Sequence, residues 1–390
     1  MSAFLFVCPI CGNHDPKLFG MRNGKPYCRC CLSFNGQKVS NIKNNPTDAY
    51  YHLDYELSDD QLRLSRLLLT NFKNHQNSLV HAVCGSGKTE IVLQVMAYAI
   101  SHGLKVGFTV PRRDVAIELY SRFRSIFKTL DIALIYGGHT AKLDGNLICC
   151  TTHQLFRFDH FFDLLIIDEV DAFPFNGNKI LNSFFKKSIK GNCILMSATP
   201  SKQLLNDFNK NGGKIIELYS RFHRYPLPVP ELIIKPKIIL IYECIRLIKE
   251  FEKQNQQVFI FTPTIQICEE LYNQIKFFCT KGNCVHSKNK NRSQIIDDFR
   301  NKKYHFLVTT AILERGVTVM NLQVIIFLAD HSIFSSYSLV QISGRVGRKK
   351  EAPEGRVIYL ASEETKSISQ SIRDIQAANK NLQNLFKTDT

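Results

Sequence analysis

Apolar residues are distributed along this chain in two recurring ways. Short unbroken runs read as buried strands, and between them lie segments whose apolar positions return every three or four residues, as on one face of a helix. The runs Val80 to Val83, Val106 to Val110, Ala133 to Tyr136, Leu147 to Cys150, Leu164 to Ile167 and Cys193 to Met196 are of the first kind. Leu57 to Phe72, Ile91 to Ile100 and Asp114 to Phe127 are of the second. Strands alternating with helices predict a parallel sheet covered on both faces. A stretch from Lys202 to Lys237 lacks a long apolar period and holds Gly212, Gly213, Pro226, Pro228 and Pro230, which reads as a boundary. A second α/β series follows: Val258 to Phe261, a helix from Ile265 to Phe278, then Phe306 to Val308, Val324 to Leu328 and Val357 to Leu360. Val39 to His52 is polar and reads as a linker. The expected plan is α/β: a small segment with its linker over 1–52, a first parallel-sheet domain over 53–205, a linker region over 206–235, and a second domain over 236–390.

In parallel sheets chemistry gathers at the carboxyl ends of the strands, and here those ends carry distinctive residues. Val80 to Glu90 reads VHAVCGSGKTE, a strand, a Gly-rich loop and the start of a helix. Gly85, Ser86 and Gly87 let successive backbone N–H groups face a phosphate, Lys88 reaches the β- and γ-phosphates, and the Thr89 hydroxyl can ligate Mg²⁺. Ala82 stands where the general pattern has Gly. Asp168-Glu169-Val170-Asp171 directly follows the apolar run LLII, a charged cluster with no simple core role. Asp168 is placed to hold Mg²⁺ and Glu169 to orient or deprotonate an attacking water. Gln61, upstream of the loop, is a candidate adenine contact or a solvated helix residue. The second half has no further GK[ST]. It does hold Thr309-Thr310, Glu314-Arg315-Gly316 and the run Gln341 to Arg348, in which Arg345 and Arg348 would share one face if helical. Paired arginines suit charge that develops on a transferred phosphoryl group.

Composition adds a partner. Lys plus Arg number 50 against 34 Asp plus Glu, a net charge of +16, which favours a polyanion such as nucleic acid, with an anionic membrane surface as the rival. The segment Lys281 to Lys303 is a candidate phosphate-facing rim. No apolar run reaches the roughly 18 residues of a membrane span, and the apolar start lacks the basic flank of a signal peptide. A cytoplasmic protein is expected.

Of 13 cysteines, Cys8, Cys11, Cys28 and Cys31 have the spacing C-x₂-C-x₁₆-C-x₂-C. Two such knuckles can present four thiolates to one Zn²⁺, whose binding supplies folding energy that so short a segment lacks. Cys30 leaves the fourth ligand open, the two-residue gap favouring Cys31. The finger carries Lys17, Arg22, Lys25, Arg29 and Lys38 against Asp15, so nucleic-acid contact and a structural or protein-docking role both remain. The other eight cysteines, scattered along apolar segments, read as reduced core residues.

Taken in order, the motifs resemble those of superfamily 2 helicases and translocases over nearly the whole chain after the linker. GSGKT resembles motif I, DEVD at Asp168 to Asp171 a DEAD-type motif II, Ser197-Ala198-Thr199 motif III, and Gln341 to Arg348 motif VI. The resemblance implies two tandem RecA-like domains that clamp ATP, with Arg345 and Arg348 directed at the phosphates. It also implies Gly316 among the nucleotide-binding residues, and Arg112, Gly138, Thr152, Thr262 and Thr310 along a nucleic-acid track. Gln341 stands where many relatives have His, and Gln61 lacks most of the usual adenine-recognition surroundings, which leaves base selectivity open. With the four-cysteine finger, the segments PRRDVAIELYSRF, DEVDAFPF, SATP, TTAILERGVT and QISGRVGRK closely resemble the ComFA family, helicase-like ATPases of natural transformation. That implies ATP-driven movement on incoming single-stranded DNA beside the ComEC channel and ComFC, at the inner face of the membrane. The alternatives are a duplex-unwinding helicase of replication restart or RNA metabolism, and a non-enzymatic nucleic-acid-binding or docking protein with a degenerate motor. The intact Lys88, Asp168, Glu169 and paired arginines argue against the latter.

Overall fold

The computed structural model describes residues 6–34, 36–40, 44–83, 85–171, 175, 177–218, 225–313, 319–348 and 351–388. It forms two compact units, Met1–Ala82 with Gly87–Leu218, and Val83–Ser86 with Tyr219–Thr390.

The first unit begins with an antiparallel hairpin, β1 (Phe19–Arg22) and β2 (Lys25–Cys28), followed by α1 (Asp59–Lys73). Ser58 and Gln61 start α1 as a reciprocal capping box, which satisfies two otherwise unpaired N–H groups. Then come β3 (Ser78–Ala82), α2 (Lys88–Ile91), α3 (Leu93–Ser101), β4 (Val106–Val110), α4 (Arg113–Ile126), β5 (Ile132–Ile135), β6 (Leu147–Thr151), β7 (Phe162–Asp168), α5 (Lys179–Ser188), β8 (Ile189–Ser197), α6 (Lys202–Lys210) and β9 (Lys214–Leu218). The strands form one sheet in the order β5-β6-β4-β7-β8-β3-β9, with parallel ladders. Because helices cover both faces, the central strands are apolar on both sides. Along β7, Leu164 and Ile166 enter one core with α1, α3 and α4, while Leu165 and Ile167 enter the other with α5.

Described residues in both expected linkers make defined contacts. The cysteine segment is built onto the second of those cores: Cys8, Cys11, Cys28 and Cys31 share it with Phe156, Phe184 and Leu181. The Phe34 ring meets Phe184 edge-on at 4.9 Å, and the Arg157 guanidinium donates to Gln37 O at 2.8 Å while Val39 N donates to Arg157 O at 2.9 Å. The polar stretch beyond it runs as a strap along the unit. His52 N donates to Ile126 O at 3.1 Å, at the end of α4, and Thr47 N to Ile100 O at 3.5 Å, at the end of α3. Helix ends leave carbonyls without intrahelical partners, so a polar strap is what these ends require. Within 206–235, the end of α6 belongs to the first unit, β9 is the edge strand of its sheet beside β3, and β10 (Glu231–Ile234) belongs to the second sheet.

The second unit continues with α7 (Lys237–Lys253), β11 (Gln257–Phe261), α8 (Ile265–Ile275), β12 (Gly282–Val285), α9 (Arg292–Arg300), β13 (Phe306–Thr309), β14 (Leu322–Phe327), α10 (Ser336–Ser343), β15 (Val357–Ala361) and α11 (Lys366–Thr388). Its sheet runs β10-β15-β14-β11-β13-β12, again with parallel ladders. Arg356 fastens the edge: it donates to Glu231 of β10 at 2.8 Å and to Glu250 of α7 at 2.6 Å. Seven of the eight cysteines expected in the core are reduced and buried there, and Cys84 lies outside the described residues. No helix among the described residues is long and apolar enough to cross a membrane.

Candidate functional site

The Gly-rich loop follows β3, the strand between β8 and β9. Gly85 and Gly87 both have φ +80°, a left-handed conformation that side chains with a Cβ resist. Gly87 is also crowded: a Cβ there would lie 2.2 Å from Gln61 Nε2. Gln61 is therefore buried against the loop, with its Oε1 accepting from Ser58 N at 3.0 Å. Lys88 opens α2, and Thr89 is buried behind it.

At the end of β7, Asp168 Oδ1 lies 4.0 Å from Lys88 Nζ, with side-chain exposures of 13% and 14%. The same oxygen accepts from Glu169 N at 2.8 Å. Glu169 itself has φ +62°, a conformation costing about 1–2 kcal/mol for a residue with a Cβ, and strain of this kind collects at functional sites. Asp171 Oδ2 accepts from Thr199 Oγ1 at 2.8 Å, and Thr199 N donates to Ser197 Oγ at 3.0 Å. Burial raises the Asp171 carboxyl pKa, opposed by the Thr199 hydrogen bond and the Lys88 charge. Ser197-Ala198-Thr199 is thus tied to the last acid of the DEVD run.

Three residues around the loop escaped the sequence reading. Glu90 Oε1 accepts from Tyr55 OH at 2.5 Å and pairs with the Arg122 guanidinium of α4, whose Nη2 also lies 3.4 Å from Tyr55 OH. Burial and the Glu90 charge push the Tyr55 hydroxyl up to about 12. The available signal was Glu90 itself, an acid heading an apolar helix. The network binds the segment before α1, the loop helix and α4 into one support.

The cysteine cluster fits a metal. Its four sulfurs lie within 4.8 Å of one another and are buried, and Cys8–Cys31 and Cys11–Cys28 are each 3.8 Å apart. Tetrahedral Zn–S bonds of about 2.3 Å place sulfurs about 3.8 Å apart. Burial pushes the Cys11 thiol up to about 11 and Cys31 higher, so thiolates at these two positions need a cation. Cys31 is the fourth member of this cluster, and Cys30 lies outside it.

The expected nucleic-acid residues divide. Arg112, the N-cap of α4, is partly exposed; Gly138 is exposed, and Thr310 partly so. Thr152 and Thr262 are fully buried. Each follows a central strand and turns inward: Thr152 opens a 3₁₀ turn, and Thr262 Oγ1 donates to Thr309 O at 3.0 Å. α10 ends at Ser343, so Arg345 and Arg348 sit in the turns after it and do not share a helix face. Arg345 is buried, and Arg348 Nε donates to Gly344 O at 3.0 Å. Gly316 lies outside the described residues. In the basic rim, Arg300 pairs with Asp297 at 3.1 Å and Lys303 with Asp298 at 2.8 Å, so part of its charge is neutralised locally.

Comparison with known proteins agrees with this arrangement. Residues 59–208 match the DEAD/DEAH box helicase family, and residues 237–350 the helicase conserved C-terminal domain. The chain is 34% identical to competence protein ComFA of Bacillus subtilis, over 96% of this chain and 86% of the relative. It is 35% identical to competence protein ComFA of Streptococcus pneumoniae, over 96% and 90%. Among solved structures, S. cerevisiae Dbp5 bound to RNA and ADP BeF3 has the same fold, with a TM-score of 0.62 at 16% identity, covering 83% of this chain and 91% of that one. Four-cysteine segment, P-loop, DEVD acids and two parallel-sheet units therefore stand in a known setting: the chain belongs to the ComFA family of competence proteins, superfamily 2 ATPases of the helicase type.

Proposed function

We propose that this protein is an ATP-driven motor that moves along single-stranded DNA and serves the uptake of transforming DNA. The observation that carries the reading is the approach of Lys88 Nζ to Asp168 Oδ1, 4.0 Å apart beside two left-handed glycines. It brings together the ammonium a triphosphate needs and the carboxylate its metal needs. In this reading the N–H groups of Gly85, Ser86 and Gly87 cradle the phosphates with Lys88, Gln61 borders the loop, and Gly316 joins the nucleotide-binding set. Thr89 and Asp168 would hold Mg²⁺, which neutralises charge on the β- and γ-phosphates. Glu169 orients the attacking water, and Arg345 and Arg348 meet the charge on the transferred phosphoryl group.

Arg112, Gly138 and Thr310 offer the accessible contacts to a strand, while Thr262 fixes the turn after β11 from inside and Thr152 borders the track from a buried position after β6. The net charge of +16 supports a polyanionic track whose affinity falls as salt rises. Zn²⁺ on Cys8, Cys11, Cys28 and Cys31 stiffens the first unit, since those cysteines share its core. The likeness to competence protein ComFA supports a role in competence; in this reading ComFC and the ComEC channel are partners, and the motor works in the cytoplasm at the inner face of the membrane.

Phosphate release by the purified protein, measured with single-stranded DNA, duplex DNA and RNA side by side, tests the reading. Single-stranded DNA should stimulate hydrolysis most, and Lys88→Ala should abolish the stimulated rate. Equal rates with and without DNA, or a stimulated rate that survives Lys88→Ala, would overturn it.

A further inference from the structure

The carboxyl end of β5 carries a feature that the motor motifs leave unexplained. Tyr136 and His139 close a tight turn, Tyr136 N donating to His139 O at 3.2 Å and His139 N to Tyr136 O at 2.9 Å. The turn lays the two rings on each other, with centroids 4.9 Å apart and planes 19° apart. The Arg113 guanidinium, from the first turn of α4, lies over the same Tyr136 ring at 4.4 Å. Three planar groups from two elements therefore make one stack. Arg113 and His139 are exposed and Tyr136 is half-buried, and none of the three belongs to either core of the unit.

A second observation comes from the glycines between the rings. Gly138 has φ +85° and so favours glycine for conformational reasons. Gly137 does not have a left-handed φ, and a Cβ added to it would meet nothing within 4 Å. The fold has no need of glycine at 137. Its bare backbone leaves room for close approach by something outside the chain, at the edge of an exposed planar stack.

We propose that Arg113, Tyr136 and His139 form a nucleobase platform, on which an unpaired base stacks while Arg112 and the start of α4 hold the adjoining phosphate. Aromatic and guanidinium faces accept any base, because every base has a π-face. The interior bases of a duplex already have both faces covered by their neighbours, so the platform also supplies a physical reason for preferring single strands. The hydrogen-bonded turn sets the rings before binding, which lowers the ordering cost. The inference rests on the single-strand reading above.

Fluorescence anisotropy of the full chain at one fixed salt concentration, without nucleotide, separates the two ideas. The probes are an oligodeoxythymidine and an abasic strand of the same length, and the proteins are wild type, His139→Ala, His139→Phe and Arg112→Gln. Wild type should bind the base-bearing strand at least about fivefold more tightly than the abasic one. His139→Ala should erase most of that difference, His139→Phe should restore it, and Arg112→Gln should weaken both strands alike. His139 is exposed, so its replacement should leave the melting temperature unchanged. Equal wild-type affinity for the two strands, or a difference that persists in His139→Ala, overturns the platform and leaves the motor reading intact. Failure of wild type to bind either strand overturns both.

Discussion

Lys88 Nζ and Asp168 Oδ1 stand 4.0 Å apart, the one at the start of α2 and the other at the end of β7. β8 separates β3 from β7 in the sheet, so the contact exists only because parallel strands bring their carboxyl ends to one edge. Replacing Lys88 by Ala should lower ATP hydrolysis by about a hundredfold or more, the scale for losing one preorganised electrostatic group. Neither residue belongs to a core cluster, so the circular dichroism spectrum should not change. A variant that keeps more than a tenth of the rate would show that the pair is not at the reacting phosphate.

Glu90 is the support most exposed to test. Its carboxylate is buried and accepts from both Tyr55 and Arg122. Glu90→Gln leaves the guanidinium without its charge partner and should cost about 1–3 kcal/mol. In a unit of this size that is a fall in melting temperature of a few degrees per kcal/mol. Tyr55→Phe removes the hydrogen bond to Glu90 and the longer one from Arg122 and should cost about 1–2 kcal/mol. Thermal unfolding of the two variants measures both losses, and an unchanged midpoint in Glu90→Gln would contradict the network.

Metal content distinguishes the neighbouring cysteines. Cys31→Ser should lose zinc and melt earlier, because the sulfurs sit in the same core as Phe156 and Phe184. Cys30→Ser should keep one zinc per chain. The reverse pattern by elemental analysis would reassign the fourth ligand.

Acid should loosen the second sheet at a defined place. Hydrogen bonding to Arg356 holds the Glu231 carboxyl below its ordinary 4.5. A depressed folded pKa gives stability that is present above the unfolded value and lost as pH falls through the folded one. The wild type should therefore lose stability below about pH 4.5 more steeply than Arg356→Gln, in which that contribution is missing at every pH. Both groups are partly exposed, so high salt should shrink the difference. Identical acid slopes would count against the pairing.

Much of this was legible in the sequence, for physical reasons. Unbroken apolar runs such as Leu164 to Ile167 announce a strand buried on both faces, and β4 was found at Val106–Val110 as read. The P-loop was legible because a phosphate cradle needs glycines and a lysine next to one another in the chain. What escaped was held by distant partners. β9, KIIEL, is a short edge strand with alternating exposure, and only its pairing with β3 identifies it. The strap over 44–52 has polar composition because it serves helix ends, and composition alone reads as a linker. Tyr55, Glu90 and Arg122 meet through three separate segments, and no local pattern announces them. Thr152 and Thr262 occupy the expected strand ends, but the path of the turn after each strand decides which way a side chain points, and residue type alone does not give that path.

Movement along a strand is read by displacement of streptavidin from the end of a biotinylated single-stranded oligonucleotide. Release should require ATP, fail with a non-hydrolysable analogue, and vanish in Lys88→Ala. Streptavidin that stays bound while single-stranded DNA accelerates hydrolysis would rule out translocation, leaving a DNA-stimulated ATPase that does not travel.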